Sequence, residues 1–557
     1  MKRELSVLVN NEYDLIIVGA GAFGSCAAWE AASRGLSVAV VDRADFCSAT
    51  SANHLKMVHG GIRYLQHLDI YRVRESCHER TALLRIAPHL VKPIPIILPT
   101  FDSLLEGKEI LTLGFLLYDL ITFDRNQGIK DSARKVPRGR LINRKQCLKY
   151  FPQLDEAGIN GAGLFHDGQF YNPTRLSLAF LRSAVCSGAV TGNYLEVKEL
   201  VSNEDRVCGV KVEDRLSGKQ FGIRGKIVLN TAGPWANHLL KSTLGTCLKP
   251  EPKFSRDLGF VIKRQFSKNF ALGVRIDLKD PDALLSRKGR HIFLVPWRDY
   301  TLVGVWHLVF EKNPDEITVT KDELQSYIDE INTAIPTLDL KFNDISMVNT
   351  GLTLFGDNKT DEKDLSFGKR SILIDHLTEH QIDGLITLIG VRATTARNMA
   401  EKAVNLVFHK LGKKLVKSRT HKLPIYGGEF DKFENLFKQA ILKTNNLLSI
   451  NVIHSLLYNY GAKYEEVLKY IREDPSWAEN IENTMTIKAQ IIHAVREEMA
   501  VKLGDIIFRR TDIGTGEFPS EEAIHTCAML MGNELGWNDH QIQCEIEELR
   551  SHLYLKD

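Results

Sequence analysis

An α/β fold with an inserted antiparallel sheet and a following all-helical region is predicted for this 557-residue chain by three observations. The first forty residues alternate strand, helix and strand. Two later stretches, 226–237 and 384–400, again run from an apolar strand through small residues into a helix. Beyond about residue 420 strand patterning gives way to helical periodicity.

The first element is the run Asp14-Leu-Ile-Ile-Val-Gly-Ala-Gly-Ala-Phe-Gly24, an apolar strand entering Gly-x-Gly-x-x-Gly. A small-residue helix follows over 25–33, then a second strand, Leu36-Ser-Val-Ala-Val-Val41, ending in Asp42. This is the arrangement a dinucleotide requires. Gly19 makes the tight turn, Gly21 lets a pyrophosphate approach the backbone, and Gly24 lets helix and strand close up. The helix start offers unpaired N–H groups to phosphate, and Asp42 is placed to accept ribose hydroxyls. A bare glycine motif also occurs in unrelated turns; here the strand, helix and acid all stand in their places.

Residues 71–86 have a helical composition closed by Pro88. Ile94-Pro-Ile-Ile-Leu-Pro99 reads as an edge strand, because its prolines cannot serve a central one. The run Ile110–Phe123 is the most apolar long stretch. It is interrupted by Asp119 and too short to span a bilayer, so a buried or partly buried helix is expected, with a monotopic membrane contact as the alternative.

Lys226-Ile-Val-Leu-Asn-Thr-Ala-Gly233 is a third apolar strand, and Pro234 opens the next helix. Phe260–Ile262, His291–Trp297 and Thr301–Trp306 read as strands of an antiparallel sheet. Gly384–Ala400 gives strand, small-residue turn and helix, with Thr394 and Thr395 near the helix start. Pro424 and Gly427-Gly428 then break the chain before a helical pattern that begins at Phe433. The expected domains are 1–420, a nucleotide domain carrying an insertion at roughly 71–195 and 240–375, and 421–557, helical.

Composition excludes some classes. A formal net charge of +3 is too small for a nucleic-acid binder driven by bulk charge. Nine cysteines without a Cys-x-x-Cys pair read as reduced thiols of a cytoplasmic protein with no metal site. The polar first twelve residues do not read as a signal peptide.

The segment Lys56-Met-Val-His-Gly-Gly-Ile-Arg-Tyr-Leu65, within Ser51–Leu65, resembles the hallmark of FAD-dependent glycerol-3-phosphate dehydrogenases and oxidases. Asn230-Thr-Ala-Gly-Pro-Trp235, Leu294-Val-Pro-Trp297, Leu423–Phe430, Tyr458–Gly461 and His493–Thr511 are similar to that family too, so the resemblance spans nearly the whole chain. It implies FAD as the dinucleotide, a glutathione-reductase-like FAD domain with an inserted antiparallel substrate sheet, and a helical cap.

By the resemblance, Gly19, Gly21, Ala22, Phe23, Gly24, Asp42 and Arg43 hold the ADP half of FAD, with Val197 near the adenine. Thr50, Ser51, Lys56, His59, Gly60 and Gly61 lie along the pyrophosphate and isoalloxazine. Thr231, Ala232, Gly233 and Trp235 close over the cofactor, and Val391, Arg392, Ala393, Thr394 and Thr395 meet its flavin end. The implied chemistry is hydride transfer from an alcohol carbon to flavin N5, with electrons passed on to quinone or oxygen.

The departures from the family cluster where substrate binds. Gly259 stands where the family has a His that faces the flavin. Gly304-Val-Trp-His307 replaces Gly-Thr-Thr-Asp, and Thr353 replaces an Arg that clamps the substrate phosphate. Arg392 replaces a Lys. An arginine fork suits phosphate, so its loss points to an altered substrate, with Trp306 adding apolar bulk. The alternatives are glycerol 3-phosphate itself, its phosphate held by Arg63, Lys263 or Arg264, and a flavin protein without turnover whose helical domain binds a partner.

Four residues are candidates for catalysis, each with a plainer reading. Arg63 contacts substrate or forms a structural ion pair. Arg392 stabilises charge on the reduced flavin or binds phosphate or backbone. His307 supplies the base or is an ordinary strand histidine. Tyr64 lines the pocket or simply packs. His59 reads as a group that positions the cofactor. A homodimer and a peripheral place on the inner face of the membrane remain open alternatives.

Overall fold

The computed structural model describes all residues except 102–107, 277–289, 357, 359–365, 367, 369, 552–554 and 557. Its centre is strand β1 (Glu12–Val18), whose last six residues are buried. Continuous burial on both faces is what a parallel strand between helices requires. Strand β1 pairs in parallel with β2 (Val38–Val41) on one side and β10 (Gln220–Asn230) on the other. Beyond β2 lies β7 (Val190–Gly192); beyond β10 lie β18 (Leu385–Ile389) and the antiparallel β17 (Ile372–Asp375). Strands β8 (Leu195–Asn203) and β9 (Arg206–Asp214) form a hairpin attached to β10. All three strand-to-helix units read from the sequence therefore lie side by side in one sheet.

Helix α1 (Ala22–Ser33) is buried from Gly24 to Ala32. It has no polar face because it lies between the sheet and two more helices, α4 (Pro173–Cys186) and α7 (Ala396–Lys410).

The second sheet runs in the order β16 (Ile345–Leu354), β11 (Phe254–Ile262), β14 (Tyr300–Phe310), β13 (Arg290–Trp297), β12 (Ala271–Ile276), β4 (Val91–Thr100), β6 (Gly161–Phe170) and β3 (Met57–Val58), with β5 (Arg140–Asn143) also on β6. Only β12 and β4 pair in parallel. One face buries Leu258, Phe260 and Trp306 against helix α6 (Lys321–Ala334). A short β15 (Val319–Thr320) pairs with β19 (Leu555–Lys556).

Two expectations change here. Strand β4 is internal, with ten pairs to β6 and two to β12. Pro93, Pro95 and Pro99 share one parity, so they strip donors from one side of the strand, and that side keeps only the short contact with β12. Residues 173–195, expected in the insertion, instead supply α4 and β7 to the first sheet's layers.

The helices from Phe433 onward dock through buried charge. Asp45, at the loop after β2, meets Arg510 at 2.7 Å and Arg509 at 2.6 Å. Despite its burial, these two guanidinium groups hold Asp45 well below the usual carboxylate range. Glu498 meets Arg175 at 2.6 Å and Arg182 at 3.1 Å, both from α4. The run Ile110–Phe123 forms α3 (Lys108–Ile121) and its end. Among the described residues no helix is long and apolar enough to cross a membrane.

Replacing Asp45 by Ala removes the carboxylate that Arg510 and Arg509 share, and Arg509 keeps Asp505 at 2.7 Å. The expected cost is about 3–5 kcal/mol, read as an early thermal transition of the helical region followed by tryptophan fluorescence.

Candidate functional site

The ends of β1, β2 and β10 converge on one large cavity of about 1390 Å³ between the two sheets and the helical region. Its floor is the glycine turn. Gly19 has φ +99°, and a Cβ there would lie 2.7 Å from the Thr231 carbonyl oxygen. A Cβ on Gly24 would lie 1.9 Å from the carbonyl oxygen of Gly19, so helix and turn touch backbone to backbone. Gly21 is looser: its Cβ would meet only Ser51 Oγ, at 3.0 Å. Ser51 Oγ accepts the Ala22 N–H at 2.9 Å at the start of α1.

Asp42 accepts N–H bonds from Ala20 at 2.7 Å and Ala44 at 3.0 Å. Burial nevertheless pushes it up to about 6. Its oxygens keep lone pairs for a ribose, and its role includes shaping the turn. Nearby, Arg43 covers the Trp235 ring at 4.3 Å. Asp315, from beyond β14, accepts from Arg43 at 2.5 Å and from the Trp235 indole N–H at 3.0 Å. Asp315 is not visible as a site residue in the sequence, because it joins Arg43 and Trp235 only through folding.

At the other end of the cavity, three elements fix the turn His59-Gly60-Gly61. The Gly60 N–H donates to Asp167 Oδ1 at 2.6 Å, Tyr118 donates to the Gly60 carbonyl at 2.9 Å, and the His59 N–H donates to Thr394 Oγ1 at 3.1 Å. Arg80 pairs with Asp167 at 2.5 Å. A side chain at Gly60 would meet Arg80 Nη1 at 2.0 Å. Burial lowers the His59 ring below its ordinary range; Arg392, Arg63 and Arg80 add to this and Asp167 opposes it. Asp167, Arg80 and Tyr118 escape sequence reading; the one signal is a buried-strand acid in β6, beside His166 and Gln169.

Thr50 Oγ1 accepts the Leu352 N–H at 2.9 Å and donates to the Leu352 carbonyl at 3.1 Å, joining the loop to β16. Val197, Ala232, Gly233, Val391 and Ala393 line the cavity, as do Ala22, Phe23 and Lys56. Gly24, Gly60 and Thr395 stand just behind the lining and act by shaping it.

On the substrate side, the Tyr64 ring is covered by Arg72 at 4.5 Å and Arg392 at 4.9 Å. Arg392 also donates to Ser76 Oγ at 3.1 Å and lies 3.8 Å from Glu75. Arg63 and His307 both line the cavity. His307 and Asp257 face each other across β14 and β11 and bond at 2.7 Å, while Ser255 donates to the same Asp257 oxygen at 2.5 Å. Ser255 is in turn opposite Thr353, and Asp257 opposite Gly351.

Three expectations fail. Trp306 does not enter the cavity: alternation along β14 turns it the other way from His307, where it stacks on Phe260 and Tyr327 and donates to Glu330 at 2.7 Å. Lys263 is bound by Glu517, and Arg264 by Asp344 at 3.1 Å, so neither lines the cavity to hold a phosphate.

The site fits a dinucleotide: a glycine floor that any Cβ would fill, helix N–H groups above it, an acid at the ribose position, and a cavity long enough for both halves. Comparison with known proteins agrees. Residues 14–390 match the FAD dependent oxidoreductase family model, and residues 418–542 match the C-terminal domain of alpha-glycerophosphate oxidase. The chain is 30% identical to glycerol-3-phosphate dehydrogenase of Synechocystis sp., over 100% of this chain and 98% of that protein. It is 30% identical to the human mitochondrial glycerol-3-phosphate dehydrogenase, over 99% of this chain and 74% of the human protein. The Bacillus halodurans glycerol-3-phosphate dehydrogenase complexed with FAD superposes with a TM-score of 0.76 at 23% identity, covering 98% and 96% of the two chains.

Placing alanine at Gly24 forces the Gly19 carbonyl away. The expected penalty on cofactor retention is about 1–3 kcal/mol, measured as the loss of bound flavin absorbance per mole of purified protein.

Proposed function

This chain belongs to the FAD-dependent glycerol-3-phosphate dehydrogenase family, and we propose that it oxidises an alcohol carbon of a small polyol whose far end is not a phosphate. The observation that carries this is the Ser255–Asp257–His307 cluster beside Thr353. The family resemblance puts a phosphate-clamping arginine at Thr353; this chain puts a hydroxyl there and a carboxylate on the neighbouring strand. A carboxylate repels a phosphate and accepts hydrogen bonds from hydroxyls.

Bound FAD supplies the two-electron acceptor. The protein's part is orientation and proton handling. Asp257 holds the His307 Nδ1 proton, which makes Nε2 the basic nitrogen able to take a hydroxyl proton. Arg63 and Arg392 give the cavity a cationic wall that stabilises negative charge developing there, and Tyr64 fixes Arg392 through its ring.

A second reading is glycerol 3-phosphate itself. It is supported by identity to such dehydrogenases along the full chain and by Arg63 in the cavity wall.

Helix α3 bears on the electron acceptor. It buries Phe115 and Tyr118 but leaves Leu113, Leu116 and Leu120 exposed, with Phe123 80% exposed just beyond it. Leu68, Ile70 and Tyr71 add to the exposed apolar surface. A helix with apolar residues on its outer face suits the boundary of a bilayer, and a lipid-soluble quinone is the acceptor such a position favours.

Rapid mixing of the flavoprotein with unphosphorylated polyols is expected to bleach its flavin, and His307→Gln to slow that bleaching about 10²- to 10⁴-fold. Rapid bleaching by micromolar glycerol 3-phosphate, and none by unphosphorylated polyols, would select the second reading. Leu116→Glu with Leu120→Glu is expected to abolish co-sedimentation with anionic lipid vesicles while leaving substrate bleaching unchanged. Equal sedimentation of variant and parent would exclude α3 as the contact.

A further inference from the structure

A second, smaller cavity of about 40 Å³ adjoins the large one and shares Asp257, Asn349, Thr353 and Val305 with its wall. These side chains border both spaces, so a ligand in the large cavity can reach the recess past them. Strand register explains why it exists. Ser255, Asp257 and Gly259 share one face of β11, and their partners on β16 are Thr353, Gly351 and Asn349. On β14 the partner of Gly259 is Gly304. Three glycines therefore lie together on the face that carries Asp257. A Cβ on Gly259 would lie 2.9 Å from the Val303 carbonyl oxygen, and one on Gly304 would lie 3.1 Å from Gly259 Cα. Gly351 is covered by the loop, its Cβ position lying 2.9 Å from Thr50 Cα, whereas Gly259 borders the recess.

The wall of the recess is polar and incompletely satisfied. Asn349 is only 8% exposed. Among the described residues, neither its amide nor the Thr353 hydroxyl is hydrogen-bonded by the protein, and both border the recess. The bonds that Asp257 accepts from His307 and Ser255 both fall on Oδ1, which leaves Oδ2 as an acceptor. A buried amide calls for a partner, and here the partner must come from the cavity. Size narrows the choice. One water needs about 10–15 Å³, so a space of about 40 Å³ takes a carbon with its oxygen but not a phosphorus with four. The Asp257 carboxylate repels an anion in the same place.

We propose that this recess is the subsite for the terminal hydroxymethyl group of the substrate, and that Asn349 and Thr353 are the residues that select it. This rests on the polyol reading of the site. The Asn349 amide and the Thr353 hydroxyl can each donate to or accept from a substrate hydroxyl, while His307 handles the proton of the carbon being oxidised. A methyl group in place of the hydroxymethyl leaves the amide unpartnered, and that penalty is the source of selection.

The test is rapid mixing of the full-length flavoprotein with glycerol, erythritol and xylitol, each beside the analogue in which one terminal hydroxymethyl is a methyl (1,2-propanediol for glycerol). Flavin bleaching is the readout. For the polyol that bleaches fastest, the parent is expected to favour it over its analogue by about ten- to a hundredfold in second-order rate. Asn349→Leu, similar in shape, is expected to bring that ratio to within about threefold of one. Thr353→Val is expected to lower it by about three- to tenfold, and keeps the test decisive if the leucine variant fails to fold. His307→Gln is expected to slow both compounds and keep the ratio, which separates selection from proton handling. A parent ratio near one, or the parent ratio persisting in both recess variants, assigns the recess to water and overturns the proposal while the polyol reading stands. Bleaching by glycerol 3-phosphate alone, or by no alcohol, overturns the polyol reading and the recess assignment with it.

Discussion

The ion pair between Arg80 and Asp167 is the constraint against which the rest of the site is set. Asp167 belongs to the inserted sheet, Arg80 to the helix spanning Ile70–Ile86, and the Gly60 N–H that shares the carboxylate belongs to the turn that follows β3. Despite burial, Asp167 and Tyr118 hold the Arg80 guanidinium above its ordinary range. Separating a buried pair of this kind leaves a naked charge, which costs several kcal/mol, about 3–5 in typical cases. The turn it fixes is therefore rigid, and Tyr118 and Thr394 complete its hydrogen bonding. Tyr118 also ties the turn to α3, so the helix with the apolar outer face is joined by one hydrogen bond to the segment that lines the cavity.

A second buried network makes the helical region part of the site. Asp45 follows Asp42 by three residues and is held by Arg509 and Arg510. The same stretch sends Phe508, Thr515 and Phe518 into the cavity lining. Asp512 binds Arg298, whose guanidinium also lies 4.3 Å from the Trp297 ring that Lys56 faces.

The cavity wall around His307 follows from strand register. Between Leu258 and Gly259 the pairing of β11 with β14 shifts, and Val305 is the extra residue. Such a bulge sharpens twist and re-aims the side chains beyond it. Beyond the bulge His307 lies opposite Asp257, and Trp306 turns into the core over α6. Alternation along β14 then turns His307 to the cavity and Trp306 to the packed face.

The sequence by itself determined the three strand-to-helix units, the glycine floor, the helical region after Phe433 and the family. These are local: period-2 and period-3.6 patterns and fixed glycine spacings are written within a few residues. Most of the residues it singled out line the cavity, because they sit at strand ends and turns. It missed Asp167, Arg80, Tyr118 and Asp315, placed Trp306 in the pocket, and read β4 as an edge. Those were decided by tertiary structure alone. Which face a side chain takes, and which partner meets it, depend on register and on pairs separated by tens to hundreds of residues, and such pairing leaves no periodic mark in the chain.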